Sequence, residues 1–298
     1  MPYDHHQVRS LLKDSLTAEA SDIIFKVPGR PMFRSGDRLV PTPYPELKPD
    51  DAFRIARALL QMASKEIPLN TMDEIEFAFG VSKIGRFRTH MYKQRGSLAI
   101  VVHRISLHSP TLADLGASDD AGRIAWGGPG LTIVTGQRKR LHLLAALTQD
   151  FNINFPGHLV SLEDPIEFLH RDRRAIVSQR EIGVDTSSFI EGLKSVRRES
   201  PDAVIIHDMP NPETAEAALR YAEDGQNVVA SIAGCRASEA ARWFTRMFPV
   251  HREEEISERL CFALRGVIAE SKDKVSVIPA SRALLRAVLE RAPLPLAA

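Results

Sequence analysis

Over the first hundred residues the apolar positions come in short groups whose spacing changes. Val8, Leu11, Leu12 and Leu16 recur at helical spacing and predict a helix over 8–20. Ser21 and Asp22 interrupt it. Short apolar runs then predict strands at 23–27, 31–34 and 38–40, with Pro28-Gly29 and Ser35-Gly36-Asp37 as turns. A proline-rich connection over 41–49 leads to Asp50-Asp51, placed to cap a helix over 52–62. Polar and apolar residues alternate over 74–79. Residues 85–90 and 97–105 read as further strands, with 93–96 as the turn. This part predicts a small α+β domain with an antiparallel sheet.

The pattern changes after residue 107. Residues 108–129 are broken by Pro, Gly, Ser and Asp, with one short helix at 121–126, and read as a linker. Beyond it, continuous apolar strands at 131–134, 158–163, 203–206 and 227–232 alternate with helices starting at Arg140 and spanning 189–199, 212–224 and 237–248. Strict alternation of that kind predicts an α/β domain over 130–298 with a mostly parallel, doubly wound sheet. No internal repeat or low-complexity segment interrupts the scheme.

Composition narrows the function classes. A length of 298 residues suits two domains, and 44% apolar residues suffice for two cores. The formal net charge of +1 gives no global pull toward nucleic acid or anionic lipid. Two cysteines, Cys235 and Cys261, make neither a disulfide framework nor a metal site, so a reducing cytoplasm is expected. The first residues carry no signal-peptide pattern. The longest apolar runs, such as 98–102, are far too short to span a bilayer. Work at a membrane would be as a peripheral partner.

Two stretches carry candidate chemistry. Residues 130–147 read as a buried strand, a Thr135-Gly136 turn and a helix opening, the arrangement that presents free N–H groups and a helix dipole to an anion. A phosphate loop at that place needs G-x-x-x-x-G-K-[ST]. Here Gly136 is followed by no second glycine, Lys139 comes three residues later, and Arg140 stands where a metal-binding hydroxyl is needed. The second stretch, 160–168, sets Glu163 and Asp164 at the end of a buried strand, with Glu167 just beyond. Acids there can hold Mg2+ or orient a water. The ordinary alternative is a turn acid before Pro165.

Residues 163–170 (Glu-Asp-Pro-Ile-Glu-Phe-Leu-His), 178–183 (Ser-Gln-Arg-Glu-Ile-Gly) and 197–202 closely resemble the PilT-type pilus-retraction ATPases, within the type II and type IV secretion ATPase family. The resemblance extends back to Ser21-Asp22, to 31–34 and to 85–88 with 94–99, and forward to 279–286. Nearly the whole chain is covered, in the family's order. It implies a PAS-like N-terminal domain over 1–107 and a RecA-like P-loop NTPase domain over 130–298. It also implies ATP and Mg2+ as cofactors and a ring of six chains. The family's last C-terminal helices are expected to be shortened or absent.

Of the family's four nucleotide boxes, only the acidic one, 163–167, is intact, with Glu163 resembling the catalytic glutamate. The phosphate loop is two residues short and is replaced by Gln137-Arg138-Lys139-Arg140-Leu141-His142. Without glycines the backbone cannot wrap a phosphate, because those positions need conformations costly for other residues. Arg138, Lys139 and Arg140 can still attract phosphate by charge, although a solvated basic turn is the ordinary reading. In the Walker B region Asp208 keeps a carboxylate but is one methylene shorter than the family's glutamate. Displacements of about an ångström can cost about 100-fold in rate. His207 replaces a glycine there, and Pro210 an arginine. Both histidines of the His box are gone, with Gln226 and Ala233 in their places.

These residues predict a PilT-like protein with weak or no ATP hydrolysis, acting as a regulatory or structural subunit of a pilus or secretion motor. Glu163 and Asp208 are the candidate catalytic pair. Gly136, Arg138, Lys139 and Arg140 are the degenerate nucleotide site, and no metal ligand is assigned with certainty. Arg86, Arg88, Arg95 and Arg104 are candidate arginine contacts to nucleotide across domain or subunit boundaries. The resemblance implies a homo- or hetero-hexamer with PilT-like ATPase subunits, an inner-membrane platform protein as partner, no nucleic acid, and a cytoplasmic place beside the inner membrane. The rival expectation is an active retraction motor, with Arg138 or Lys139 on phosphate and Glu163 with Asp208 around Mg2+.

Overall fold

Asp4 starts the first helix. Its carboxylate accepts the Gln7 N–H at 2.8 Å, and α1 runs His5–Thr17, burying Val8, Leu11 and Leu12. Ser15 rather than Leu16 completes the buried stripe, which its hydroxyl can do by donating to Leu12 O at 2.7 Å. β1 (Asp22–Phe25), β2 (Met32–Ser35), β3 (Arg38–Pro41), α2 (Pro49–Met62), β4 (Glu74–Val81), β5 (Gly85–Gln94) and β6 (Ser97–Ile105) follow. The strands form one antiparallel sheet in the order β3-β2-β1-β6-β5-β4. Helix α2 starts earlier than the Asp50-Asp51 pair indicates. Pro49 takes its first position, where a missing N–H costs nothing. Asp51 reaches back to the Lys48 N–H at 2.9 Å.

One sheet face of this unit supplies Phe77, Phe79, Phe87, Met91, Ile100 and Val102 to a core shared with α1 and α2. The opposite face is polar and internally paired. Asp22 holds His103 Nδ1 at 2.9 Å and Arg34 Nε at 3.4 Å, and Arg88 pairs with Glu76 at 3.1 Å.

The computed structural model describes residues 3–106, 108–136, 139–271 and 274–290, and the chain divides into the units Met1–Leu107 and His108–Ala298. In the second unit α3 (Asp120–Trp126) leads into β7 (Gly130–Gly136), α4 (Arg140–Asn154), β8 (His158–Glu163), β9 (Ile176–Glu181), α5 (Phe189–Val196) and β10 (Ala203–Ile206). Then come α6 (Pro212–Glu223), β11 (Asn227–Ala233), α7 (Ala240–Arg246), α8 (Glu253–Ala263), β12 (Leu264–Ser271), β13 (Lys274–Pro279) and α9 (Arg282–Leu289). The sheet order is β13-β12-β7-β11-β10-β8-β9, and all neighbours are parallel except β12 and β13.

Strands β7, β8, β10 and β11 read as apolar runs because both faces are covered. Leu131, Ile133, Val160 and Val204 face a core built with α5 to α8, while Val134, Leu159 and Ile205 face α3 and α4. Trp126 of α3 meets Phe151 of α4 edge-on at 5.1 Å. Gly130 is required at the start of β7: its φ is +128°, and a Cβ there would lie 2.6 Å from Ala263 O. The parallel strands all end on one edge, which brings Gly136, Glu163, His207-Asp208 and Ala233 to the place where open α/β sheets bind ligands. No helix among the described residues is long and apolar enough to cross a membrane.

Candidate nucleotide site

Glu163 ends β8 and is 2% exposed. Its Oε1 accepts from Ser161 Oγ at 2.6 Å and from Gln179 Nε2 at 2.8 Å. Gln179 lies opposite Ser161 on β9. It also donates to Phe168 O and accepts the His170 N–H, so one amide ties the 168–170 segment to the glutamate. The other oxygen, Oε2, lies 3.6 Å from His207 Nε2. Burial pushes Glu163 up to about 7 against the pull of those two hydrogen bonds, and the same burial, aided by the Arg140 charge, pushes His207 down to about 3. The imidazole is therefore neutral at pH 7, whichever state the acid takes. The contact is not an ion pair. Burial also lowers His170 to about 4.

Arg140 is the first residue of α4, and its side chain turns inward with 14% exposure. Nη1 donates to His207 O at 2.7 Å, to Asp208 Oδ1 at 3.3 Å and to Ser231 Oγ. The Ser231 hydroxyl in turn donates to His207 O at 2.6 Å. Asp208 is raised by burial, and Arg140 pulls it back down. Lys139 caps α4 with its side chain exposed, and its backbone N–H donates to Glu270 Oε2 at 3.3 Å. Glu270 comes from β12, in the strand beside β7. Arg138 lies outside the described residues.

Gly136, Arg140, Glu163 and Asp208 thus converge on one sheet edge, together with His207, Gln179, Ser231 and Glu270. Gln179 lies in the 178–183 family segment but is not singled out there, Ser231 carries no signal in the sequence, and Glu270 sits on a strand the pattern does not reveal. In the first unit Arg86 and Arg88 share one face of β5, Arg104 lies opposite Phe87 on the other face, and Arg95 occupies the exposed β5–β6 turn at φ +50°. The register brings only Arg86 and Arg88 together.

Among the described residues, groups that would meet a Mg2+-nucleotide are engaged with one another at two places. A phosphate at the head of α4 needs N–H groups free to receive it, and the Lys139 N–H is given to a carboxylate. A metal at the end of β10 needs an acid and a hydroxyl, and Arg140 holds both Asp208 and Ser231.

Residues 128–272 match the family described as Type II/IV secretion system protein. The type IV pilus ATPase PilU of Pseudomonas aeruginosa is 30% identical over 268 residues, covering 89% of this chain and 69% of that protein. The type IV pilus retraction ATPase PilT of the same organism is 30% identical over 200 residues, covering 66% of this chain and 58% of its own length. Against the pilus retraction motor PilT solved with bound ADP, the TM-score is 0.84 at 27% identity, over 94% of this chain and 85% of that one.

Proposed function

The chain belongs to the PilT-type branch of the type II/type IV secretion ATPase family, and from that premise we propose that it is a motor subunit with weak or no ATP turnover of its own. The observation that carries this reading is the Arg140–Asp208 pair at 3.3 Å. The carboxylate at the position where the family uses an acid beside the metal is already neutralised by a guanidinium from the start of α4. The chain keeps the family's fold and the segments around the acidic box, while the charges that would meet Mg2+-ATP are used internally.

In this reading the chain enters a six-membered ring, alone or with an intact PilT-type paralogue, on the cytoplasmic side of an inner-membrane pilus or secretion platform. Its PAS-like unit offers Arg86, Arg88 or Arg95 to a neighbour's ATP. An arginine supplied from outside a phosphoryl-transfer site can raise the rate roughly 10³-fold or more. The chain is expected to co-purify with the paralogue and to change its ATPase rate. Replacing Arg86, Arg88 and Arg95 by Ala should remove the rate change and leave the association. Absence of association with any such paralogue counts against a regulatory subunit. The rival motor reading draws on Glu163, since an acid titrating near neutrality suits general-base work. A wild-type turnover lost in Glu163→Gln would establish that rival.

A further inference from the structure

The loop that leads into β9 presents arginines from a fixed backbone. Asn152, on α4 and fully buried, donates from Nδ2 to Arg171 O at 2.8 Å and accepts the Arg173 N–H on Oδ1 at 3.0 Å. Its own carbonyl accepts the Arg174 N–H at 2.9 Å. Arg171, Arg173 and Arg174 therefore stand out from a backbone pinned to the core, and all three are exposed. Arg174 is held along α4 by a hydrogen bond to Asn154 O. The side chains of Arg171 and Arg173 have no ion pair among the described residues. The one acid among them, Asp172, accepts the Val177 N–H. Beside the arginines, Ile176 opens β9 and is 59% exposed. Charges offered from a rigid backbone lose little freedom when a partner docks.

A surface of the opposite character lies toward the other end of the same sheet. Ile256, Leu260 and Ala263 turn α8 toward the core. Glu254, Glu258 and Phe262, spaced by four residues, line an exposed side of the helix. Phe262 is 91% exposed, so nearly the whole ring stands in water. Glu254 and Glu258 have no ion pair among the described residues, whereas Glu255 meets Arg252 and Arg259. Phe262 comes just before β12, and Arg174 just before β9. In the order β13-β12-β7-β11-β10-β8-β9, five strand spacings separate β12 from β9. At about 4.8 Å each that is about 24 Å, so one chain cannot bring its two surfaces together.

The two surfaces match in kind. Arg171, Arg173 and Ile176 offer positive charge beside an apolar side chain, and Glu254, Glu258 and Phe262 offer negative charge beside another. Opposite charges steer the approach and fix its register, while an apolar pair between them excludes water. We infer that the Glu254–Glu258–Phe262 side of α8 docks on the Arg171–Ile176 loop of a second copy of this chain. Because the two surfaces differ, the contact is head to tail. It repeats from copy to copy and closes into a ring where the rotation permits. The inference rests on the proposed entry of the chain into a ring and names the contact that would build it. It does not depend on whether ATP is turned over.

The test is sedimentation velocity of the full chain over about 1–100 μM. Wild type should associate, and more weakly as salt rises. The double variants Arg171→Glu/Arg173→Glu and Glu254→Lys/Glu258→Lys should each weaken association by about tenfold or more, because each sets like charges face to face. Phe262→Ala should weaken it as well. Thermal melts matching wild type establish that the variants are folded. An equal mixture of the two double variants should recover association. In the mixture the unaltered loop of one variant meets the unaltered α8 of the other, and the two altered surfaces again carry opposite charges. A wild type that stays monomeric overturns the inference together with a ring of this chain alone. Unchanged association in both double variants overturns the contact and leaves the ring standing. Loss in both without recovery on mixing also overturns it, since the two surfaces then do not meet each other.

Discussion

Glu163→Gln is expected to stabilise the protein at pH 8 by about 3 kcal/mol and to leave its stability at pH 4 unchanged. The direction follows from the raised folded-state pKa of Glu163, about 7. At pH 4 and below, folded and unfolded chains both carry the proton, and burial of the acid costs nothing extra. As the pH rises toward 7 the unfolded chain releases its proton while the folded chain retains it, so stability falls and then levels off. Glutamine has no proton to lose, and its carbonyl can still accept from Ser161 and Gln179. His207 works in the opposite direction. Its folded-state value, about 3, lies below the ordinary histidine range. Stability is lost as the pH drops from that range toward 3, in wild type and variant alike. Denaturant midpoints at pH 4 and pH 8 check the prediction. A Glu163→Gln protein less stable than wild type at pH 8 would mean that the acid is held as a favourable anion.

The second large effect is expected at Arg140. Arg140→Met removes the partner of Asp208 and two donated hydrogen bonds, to His207 O and Ser231 Oγ. Losing one member of a fully buried ion pair costs about 3–5 kcal/mol. The Asp208 side chain is 35% exposed, so solvent screens part of that, and a loss of about 2 kcal/mol at pH 8 is expected. Asp208→Asn in the Arg140→Met background should recover part of it, because the orphaned charge disappears. A non-additive cycle of about 1 kcal/mol would report the pair directly. A loss below about 0.5 kcal/mol, typical of surface substitutions, would mean that the guanidinium is not seated as described.

Most of the fold is written in local pattern, and its gaps have physical causes. Strands β7, β8, β10 and β11 are legible because burial on both faces turns them into unbroken apolar runs. β9, Ile-Val-Ser-Gln-Arg-Glu, is an edge strand whose side chains are mostly half-exposed, so it shows neither a run nor an alternation. β12 and β13 pair with each other next to β7, and their place is set by that packing more than by their own sequence. The start of α2 is missed by a few residues because the acid that caps it reaches back from inside the helix.

The candidate site divides in the same way. Gly136, Glu163 and Asp208 are legible as candidates because each lies at or beside a strand end within a family motif. The basic run from Arg138 reads as a solvated turn, yet Arg140 folds inward. Its partners are 67 and 68 residues further along the chain, on the loop after β10. Glu270 lies 131 residues from Lys139, and only the parallel pairing of β12 with β7 brings it there. Residues 136–142 depart from the phosphate-loop pattern in sequence, whereas the inward turn of Arg140 and the approach of Glu270 to Lys139 come only with the fold.

In the proposed function, this chain supplies its own charges where a motor subunit would hold Mg2+-ATP. The most direct test is calorimetric titration of the wild-type chain with ATP, with and without Mg2+. The expected result is no saturable binding tighter than about 1 mM, which is about −4 kcal/mol, and no difference between the two titrations. Micromolar binding that depends on Mg2+ would contradict it.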